Sequence, residues 1–480
     1  MQISILNGIF TDAQADFRTS YPLNLIPVPK DTGISKGYLK TAEGMVEFAN
    51  SIYSDSYDRG AINWQGICYR VIGNWLARVN ENGTIDYLGA VANDGRRAVI
   101  VNGFDRLAIA AAGKLYYYTT GGGVQQVIDS DLGDAIDVIW AAGYYMTTDG
   151  TSLVVTDLND PFNVNPLKYG SSEASPDPVN SLLYIRNEVY AVNRYTTEIF
   201  QNVGGSVFPF QRVEGAMVTK GSVGTHASCY YLDSYAFVGG GFNEAISVYF
   251  AGQGQTAKLA TAEIEEILKG YSEYEIASTI VESRVDSYHE LLYIHLPDKT
   301  LVYDAAATKA LGGEPVWFVL ASGAYADLPY RARNYVYCYG KWLFGDLQSK
   351  KIGYFTKADA RQFGETVPWQ FDTAVLYNDG MGAIIHDVEL VRLAGREAIN
   401  PLLPTPTTSA TISMSYSDDG LTWSDPKFCG LSRPGRANMR TAWRGIGRMR
   451  NWRTLRFRGM NNPYPDAFAR LEARIEPLAA

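Results

Sequence analysis

Residues 137–157, DVIWAAGYYMTTDGTSLVVTD, contain an apolar run, a tight turn at Gly143 and a second run rich in aromatic and β-branched residues. Glycine readily adopts the backbone angles of tight turns, and aromatic and β-branched residues favour strands. Six more stretches follow the same order: CYRVIGNWLARV, RLAIAAAGKLYYYT, SLLYIRNEVYAVNRYTTEIF, SYAFVGGGFNEAISVYFAG, ELLYIHLPDKTLVYD and NYVYCYGKWLFGD. Each stretch predicts a β-hairpin.

The spacing of these hairpins indicates a repeat. The predicted turn centres are Gly73, Gly113, Gly143, Asn187, Gly240, Pro297 and Gly340. Consecutive centres are separated by 40, 30, 44, 53, 57 and 43 residues. Hairpins recurring at this interval are typical of propeller blades, because each small sheet packs against its neighbours. We therefore predict an all-β fold with a β-propeller-like body of about seven blades. The irregular spacing leaves a sandwich with long loops as the alternative.

Composition supports the all-β class, and one segment departs from it. The 480 residues include 33 tyrosines and 46 glycines, which suit many short strands joined by tight turns. Within 261–280, TAEIEEILKG begins with the candidate N-cap Thr261, and Ser272 and Glu275 have the spacing of a capping box. These signals predict a short helical insertion.

Changes in proline content and in the alternation of apolar and polar residues along the chain predict three regions. Residues 1–58 contain Pro22, Pro27 and Pro29 and are predicted to be an extended N-terminal arm. Residues 59–360 form the propeller-like domain. After a proline-rich spacer at 400–408 the alternation of apolar and polar residues returns, so we predict a C-terminal β-sandwich over 365–480.

Motifs that resemble catalytic or cofactor sites lack the context that such sites need. GISKG, with Ser35, has no buried strand before it and no helix after it, unlike a hydrolase elbow. Gly252, Gly254 and Ala257 resemble a dinucleotide-binding turn, but the next predicted helix begins only at Thr261. YSDDGLTW, residues 416–423, resembles the structural Asp-box turn of sialidase-like propellers. We predict no catalytic and no cofactor-binding residue, no cofactor, and no enzymatic activity.

The remaining polar residues predict no metal site and no membrane insertion. The four cysteines are widely spread without a CxxC pair, and His289 and His295 on one strand lie about 20 Å apart. No run of about 18 apolar residues occurs, and the N-terminus has no basic start or small-residue cleavage site. The sequence predicts a chain that is soluble, is not exported through a signal and has free thiols.

A basic strip near the C-terminus contrasts with an acidic chain. The chain carries −9 overall, whereas residues 426–465 contain one lysine, nine arginines and no acid, a charge of +10 that leaves −19 elsewhere. In RTLRFRG, residues 453–459, strand alternation places Leu455 and Phe457 on one face and Thr454, Arg456 and Arg458 on the other. We expect Arg448, Arg450 and Trp452 to extend that second face if the strand is unbroken.

An acidic body repels phosphate, so we interpret the strip as a protein-docking face, with a solvated basic edge as the simpler alternative. Arginine binds carboxylates bidentately, and such carboxylates are available on a neighbouring subunit or on an adaptor. The predicted docking residues are Arg440, Arg444, Arg448, Arg450, Trp452, Arg456 and Arg458.

One block of sequence resembles a known family, the packaged-DNA-stabilisation or tail nozzle proteins of short-tailed bacteriophages. In that family a Lys-Gly-x-x-Gly-Thr turn leads to an Asp-Ser-Tyr-Ala-Phe strand, matched here by 220–225 and 233–237. An Asp-Ser-x-His-Glu-Leu-Leu hairpin follows, with Tyr288 standing between Ser287 and His289. The segments NLIPVPKDTGISKGYLKTAEG, TTEIFQNVG and AWRGIGRMRNWRTLRFR extend the resemblance over most of the chain, from about residue 20 to residue 475.

The resemblance implies a structural virion protein of the tail, assembled in the cytoplasm of the host bacterium. It implies a homohexameric ring below the portal and adaptor proteins that continues the DNA channel, helps to retain packaged DNA, and supports a plug or needle and tail spikes or fibres. DNA would then be non-specific cargo in the lumen, and an acidic lining would avoid trapping it.

Two other classes of function compete with this one. A carbohydrate-binding or glycan-cleaving propeller would cluster carboxylates and tryptophans on one propeller face. A nucleic-acid-binding protein would use Arg448, Arg450, Arg456 and Arg458 and would lose affinity steeply as salt increases.

Overall fold

The computed structural model describes residues 2–478 except 7–20, 31, 55, 159, 206, 253–254, 287, 393–410, 431–439, 462 and 464. The chain folds into a propeller and a sandwich, and its N-terminal residues contribute to both. The first four strands are β1 (Gln2–Ile3), β2 (Leu25–Val28), β3 (Tyr38–Thr41) and β4 (Gly44–Asn50). Strands β1 to β3 belong to the sandwich, whereas β4 belongs to the propeller.

Seven antiparallel sheets follow one another within the described residues. Blade 1 has β5 (Asp58–Trp64), β6 (Ile67–Ile72), β7 (Trp75–Val79) and β8 (Ile85–Ala90). Blade 2 has β9 (Val99–Asn102), β10 (Leu107–Ala111), β11 (Lys114–Thr119) and β12 (Gly123–Gln126). Blade 3 has β13 (Asp137–Ala141), β14 (Tyr144–Thr148), β15 (Ser152–Thr156) and β16 (Val164–Ser171). Blade 4 has β17 (Val179–Ile185), β18 (Glu188–Asn193), β19 (Thr197–Asn202) and β20 (Phe210–Arg212).

The last three blades are less regular. Blade 5 has β21 (Gly221–Ser222), β22 (Ser228–Tyr231), β23 (Ser234–Gly240), β24 (Ser247–Gly252) and β25 (Gln255–Lys258). Blade 6 has β26 (Ile280–Asp286), β27 (His289–His295), β28 (Thr300–Asp304), β29 (Trp317–Ser322) and β30 (Leu328–Pro329). Blade 7 has β31 (Ala332–Cys338), β32 (Lys341–Asp346) and β33 (Lys351–Thr356), and β4 is its outermost strand.

The seven blades form a closed ring. The strands β5, β9, β13, β17, β22, β26 and β31 each contact the next one in this order, and β31 returns to β5. A hydrophobic cluster fills each of the seven gaps between neighbouring blades. Tyr116 and Tyr118 pack between blades 1 and 2, and Tyr235 and Tyr249 pack between blades 4 and 5. The high tyrosine content therefore serves this packing between blades, and the all-β propeller prediction is confirmed.

The repeated hairpin seen in the sequence consists of the two central strands of a blade. Gly73, Gly113, Gly143 and Gly340 have positive φ in the turns of these hairpins, as does Asn187 with φ 64. The predicted turn centre Gly240 is wrong, because Gly240 is the last residue of β23. The loop continues to Ser247, where β24 begins, and Asn243, with φ 60, lies near its middle.

The predicted helical insertion connects blades 5 and 6. It contains α1 (Ala262–Lys269) and α2 (Glu273–Ala277), and the capping box of Ser272 and Glu275 is present. Ile264, Leu268 and Ile276 are buried in the cluster between these blades. A third helix, α3 (Ala305–Ala310), follows β28 with Asp304 as its N-cap and was not predicted from the sequence.

The C-terminal sandwich has two sheets. Its strands are β34 (Pro368–Asp372), β35 (Leu376–Tyr377), β36 (Ala383–Arg392), β37 (Thr411–Ser417), β38 (Lys427–Gly430), β39 (Thr441–Met449), β40 (Trp452–Met460) and β41 (Ala467–Pro477). One sheet has the order β2, β3, β41, β36, β39, with β1 beside β41, and the other has β34, β40, β37, β38, with β35 beside β40. Leu25 and Leu39 from the N-terminal strands are fully buried in the core between the sheets.

The sandwich adjoins the outer side of blade 6. The Leu23 amide donates to the Gln370 carbonyl at 2.8 Å, and the Asn24 amide donates to the Val319 carbonyl at 2.8 Å. Residues 21–24 therefore lie between β29 of blade 6 and β34 of the sandwich. The interval 1–58, predicted as an arm, supplies strands to both domains.

Candidate docking surface

The basic strip lies on two strands that belong to different sheets. β39 pairs with β36 in one sheet, whereas β40 pairs with β34 and β37 in the other. The extension of the second face was expected only for an unbroken strand, and that condition is not met, because the chain crosses between the sheets at Arg450 and Asn451. Met449 and Trp452, which flank the crossing, are both buried.

Within β40 the predicted alternation is confirmed. Leu455 and Phe457 are fully buried in the core of the sandwich. On the opposite face Arg456 is half-buried and Arg458 is exposed. The two faces thus have different roles, one in core packing and one in polar contacts.

Several arginines of the strip have partners in the same chain. Arg456 donates to both carboxylate oxygens of Asp372, at 2.9 and 2.8 Å, and its guanidinium lies 3.6 Å from the centre of the Trp423 ring. Arg458 donates to Oε1 of Gln370 at 2.8 Å. Because the Asp372 side chain is fully buried, breaking this ion pair by removing Arg456 is costly, about 3 to 5 kcal/mol in comparable sites.

Arg453, which the sequence did not single out, is the most buried of the strip's arginines that the structure describes. It donates to both carboxylate oxygens of Asp418, at 2.6 and 2.9 Å, and to the carbonyl oxygens of Ile446 and Arg448. Its guanidinium lies 4.0 Å from the centre of the Tyr416 ring. Asp418 lies in the Asp-box-like stretch 416–423, so that stretch helps to hold β40.

Arg440 pairs with Glu389 on β36, and the hydrogen bond from Arg440 holds the pKa of Glu389 below its usual value. The Arg440 side chain is 75% exposed, so solvent screens this pair and it adds little to the stability of the fold. Trp452 is buried within the chain, so its ring is not available to a second molecule.

Three arginines remain exposed on or beside the edge strand β39: Arg444, Arg448 and Arg450, here called the basic edge. Asp387 stands opposite Arg444 in the strand register but forms its ion pair with Arg474, at 2.8 Å. Among the described residues, no carboxylate lies within ion-pair distance of the basic edge. Of the seven predicted docking residues, these three have the guanidinium groups that are free for another molecule.

The axis of the propeller is crossed by a buried ion pair. Arg97, just before the inner strand β9 of blade 2, reaches Oε1 of Glu282 on the inner strand β26 of blade 6, at 2.9 Å. The Asn334 amide on blade 7 donates to Oε2 of Glu282 at 3.0 Å. Because blades 2 and 6 are not neighbours in the ring, this contact spans the centre.

The charge state of this axial cluster follows from its contacts. Burial alone would raise the pKa of Glu282, but Arg97, His295 and the Asn334 amide outweigh it and lower the pKa to about 2. Burial lowers the pKa of His295 to about 3, assisted by Arg333. Since a guanidinium only donates, Nδ1 of His295 accepts from Arg333 at 2.6 Å and the ring proton lies on Nε2, 3.2 Å from Glu282.

The other residues considered for chemistry have structural surroundings. Nδ1 of His289 lies 2.6 Å from Oδ2 of the buried Asp304, and the four cysteines are free thiols. Asp419 accepts the amides of Leu421 and Thr422 at 2.8 and 2.7 Å, as an Asp-box turn requires. Gly252 and Ala257 lie in the hairpin of β24 and β25, and Gly254 lies outside the described residues. In the part of the chain that the structure describes, no helix is long and apolar enough to cross a membrane.

The fold therefore defines a seven-bladed propeller protein with a C-terminal sandwich whose sheets include N-terminal strands. Two family models match this division: Bacteriophage P22 Gp10, beta-propeller, over residues 1–360, and Bacteriophage P22 Gp10, beta-sandwich, over residues 368–476. The chain belongs to the bacteriophage P22 Gp10 family.

A curated relative matches over both domains. The tail hub protein gp10 of Salmonella phage P22 is 28% identical over 475 residues, which cover 94% of this chain and 94% of that protein. Two solved structures resemble the propeller. The Pan2 WD40 domain of Neurospora crassa is 8% identical, covers 66% of this chain and 95% of its own, and has a TM-score of 0.41. The N-terminal domain of Nup159 is 8% identical, covers 70% of this chain and 98% of its own, and has a TM-score of 0.40. With such low TM-scores, these two likenesses add nothing to the assignment.

Proposed function

We propose that this chain is a structural tail hub, or nozzle, protein of a bacteriophage virion. The observation that carries the proposal is the match to the tail hub protein gp10 across propeller and sandwich together. The proposal includes a homohexameric ring below the portal and adaptor proteins, which continues the DNA channel, helps to retain DNA and supports the plug and the spikes or fibres. It assigns no catalytic role to the chain, and assembly takes place in the host cytoplasm.

The axial ion pair supports a channel formed by several copies. Arg97 and Glu282 meet across the centre of the propeller, with His295 and Asn334 beside them. A duplex cannot pass through an axis that is filled by side chains. DNA would therefore run between the propellers of a ring, along surfaces of a chain whose net charge is −9.

The predicted docking residues enter this proposal in two groups. Arg456 and Arg458 hold neighbouring strands of the sandwich, and Arg440 pairs on its surface. Arg444, Arg448 and Arg450 supply exposed guanidinium groups for a neighbouring subunit or an adaptor, because arginine forks suit carboxylates of a partner.

Electron microscopy of the purified protein, alone and mixed with the portal and adaptor complex, tests the proposal. We expect a ring that attaches coaxially to the complex, and no turnover of glycans. If neither a ring nor attachment is found, the tail hub proposal is wrong. The carbohydrate-acting alternative receives no support from the comparisons, and binding of glycans by a monomer would restore it.

A further inference from the structure

A cluster of aspartates lies on the propeller rim at blades 2 and 3. The interval 129–168 contains seven aspartates and one lysine. All of these aspartates except Asp137 are exposed or half-exposed, and four of them are here called the acidic rim: Asp129, Asp131, Asp134 and Asp149. Among the described residues none of the four forms an ion pair.

Contacts show that the acidic rim is one surface. The Tyr169 hydroxyl on the outermost strand of blade 3 donates to the Asp131 carbonyl, and the Val164 amide on that strand donates to Asp129 at 2.9 Å. Burial and then the carboxylates of Asp131, Asp129 and Asp149 raise the pKa of Tyr169. The carboxylates of Asp129, Asp131 and Asp149 therefore lie near one phenol, and several negative charges on one surface favour a cationic partner.

Both charged surfaces contain exposed apolar side chains. Ile128, adjacent to Asp129, is 90% exposed, and Leu167 is 72% exposed. On the sandwich, Phe428 of the edge strand β38 is 69% exposed, and Lys427 beside it donates to the Gly445 carbonyl of β39 at 2.7 Å. Large apolar groups surrounded by charge are typical of protein interfaces.

The two surfaces lie on opposite sides of the molecule. The sandwich adjoins blade 6 through residues 21–24, and β39 is the sheet edge farthest from β2, which contacts blade 6. In a ring of seven blades, the position opposite blade 6 falls between blades 2 and 3. Complementary surfaces on opposite sides of one chain give a head-to-tail contact, which generates a ring when the rotation closes.

We propose that the basic edge of one copy docks on the acidic rim of a second copy. The occupant of the basic edge is thus this same chain, in a heterologous contact that repeats around the ring. The inference rests on the proposed ring but goes beyond it by naming the two surfaces that meet.

A charge swap tests this contact in the full-length protein. Arg448→Glu with Arg450→Glu changes the charge of the basic edge from +3 to −1, and Asp131→Lys with Asp134→Lys changes that of the acidic rim from −4 to 0 without removing the turn bonds made by Asp129 and Asp149. Each pair alone is expected to weaken self-association at least about tenfold, because the first makes like charges meet at the interface and the second removes the attraction. The four substitutions together place opposite charges at the exchanged positions and are expected to restore part of the association.

Analytical ultracentrifugation over a range of concentration and salt measures the effect, with circular dichroism to check folding. Lys269→Glu with Lys309→Glu is the control for the arginine pair, because it makes the same change in net charge at two exposed sites away from both surfaces. Unchanged association in both pairs of substitutions, or no recovery in the combined variant, would overturn this contact and leave the tail hub proposal standing. If the wild type forms no ring alone, the same variants are compared for ring formation on the portal and adaptor complex. Absence of a ring there contradicts both proposals.

Discussion

At the scale of single residues, Asp137 is a carboxyl group buried at the start of β13. Its oxygens accept the amides of Val138 and Leu182, both at 2.8 Å, and thereby link blades 3 and 4. Burial outweighs these hydrogen bonds and raises the pKa of Asp137 to about 7. The folded chain therefore retains this proton over a pH range in which the unfolded chain, with a pKa of about 3.9, has lost it.

This retained proton predicts a pH-dependent difference between Asp137→Asn and the wild type. The folded-state pKa is raised, so the wild type loses free energy of unfolding as pH rises from about 4 to about 7, by about 1.4 kcal/mol per pH unit. The variant has no carboxyl group at this position and therefore lacks this loss. Its free energy of unfolding rises relative to that of the wild type over this pH range. A lost hydrogen bond would add only a cost that does not change with pH. Urea unfolding of both proteins at several pH values measures the difference, and a difference independent of pH would contradict the assignment.

Glu282 is a second residue whose role can be measured. Glu282→Gln leaves Arg97 facing an uncharged group, and Arg97 is 24% exposed, so water compensates part of the loss. We expect the free energy of unfolding to fall by about 2 to 3 kcal/mol at neutral pH. A double-mutant cycle with Arg97→Gln should give a coupling of at least about 1 kcal/mol. Additive effects would show that the two side chains do not interact across the axis.

At the scale of elements, two glycines of the motif at 220–225 lie where the backbone of blade 5 passes close to neighbouring backbone segments. A Cβ on Gly221 would lie 2.1 Å from the Asn193 carbonyl oxygen, and a Cβ on Gly224 would lie 2.2 Å from the Ala277 carbonyl oxygen. The first approach joins blade 5 to blade 4, and the second joins blade 5 to α2. Glycine is required at both positions because the backbones pass so closely.

Gly224→Ala is therefore expected to destabilise the propeller by about 2 to 3 kcal/mol, since one of the two backbones must move. Gly121→Ala is the matched control, because a Cβ there would meet nothing within 4 Å and no positive φ is required. Thermal unfolding followed by circular dichroism compares the two. Equal midpoints for both variants would show that the close approach at Gly224 is not rigid.

The sandwich contains three N-terminal strands, so we expect that the C-terminal residues alone cannot form it. Strand β3 pairs with β41, and Ile3, Leu25 and Leu39 lie in the core of the sandwich. A fragment of residues 365–480 would expose that core, so we expect it to aggregate or unfold. The full chain cleaved at a protease site inserted at the exposed Thr366 should retain the fold, because the N-terminal strands remain. A stable, monomeric fragment 365–480 would contradict this expectation.

The central strands of the blades could be predicted from the sequence, whereas the outer strands and the long-range pairings could not. The central strands of the blades are buried on both faces, and runs such as Leu107–Ala111 are apolar throughout, so their hairpins stand out. Outer strands such as Gly123–Gln126 are partly exposed and give no such pattern. The pairing of β4 with β33 joins residues about 300 positions apart, which no local pattern encodes. Arg453 was overlooked for the same reason, because its partner Asp418, in the turn just after β37, lies 35 positions away in the sequence.

At the scale of the whole molecule, the arrangement of charge determines whether the chain is expected to bind DNA. The segment 426–465 carries +10 and the remainder carries −19. Within that segment Arg453, Arg456 and Arg440 are already paired with Asp418, Asp372 and Glu389. Among the described residues of the segment, the guanidinium groups available to phosphate are therefore few, and they lie on or beside an edge strand of an acidic body.

We expect no saturable binding of a short labelled duplex at physiological salt, measured by fluorescence anisotropy. A duplex-binding protein that neutralises several phosphates loses affinity by orders of magnitude between about 50 and 200 mM salt. Any residual binding by this chain should be weak and should not depend on the basic edge, so Arg448→Glu with Arg450→Glu should match the wild type. Tight binding that falls steeply with salt and is lost in that variant would instead assign the basic edge to DNA.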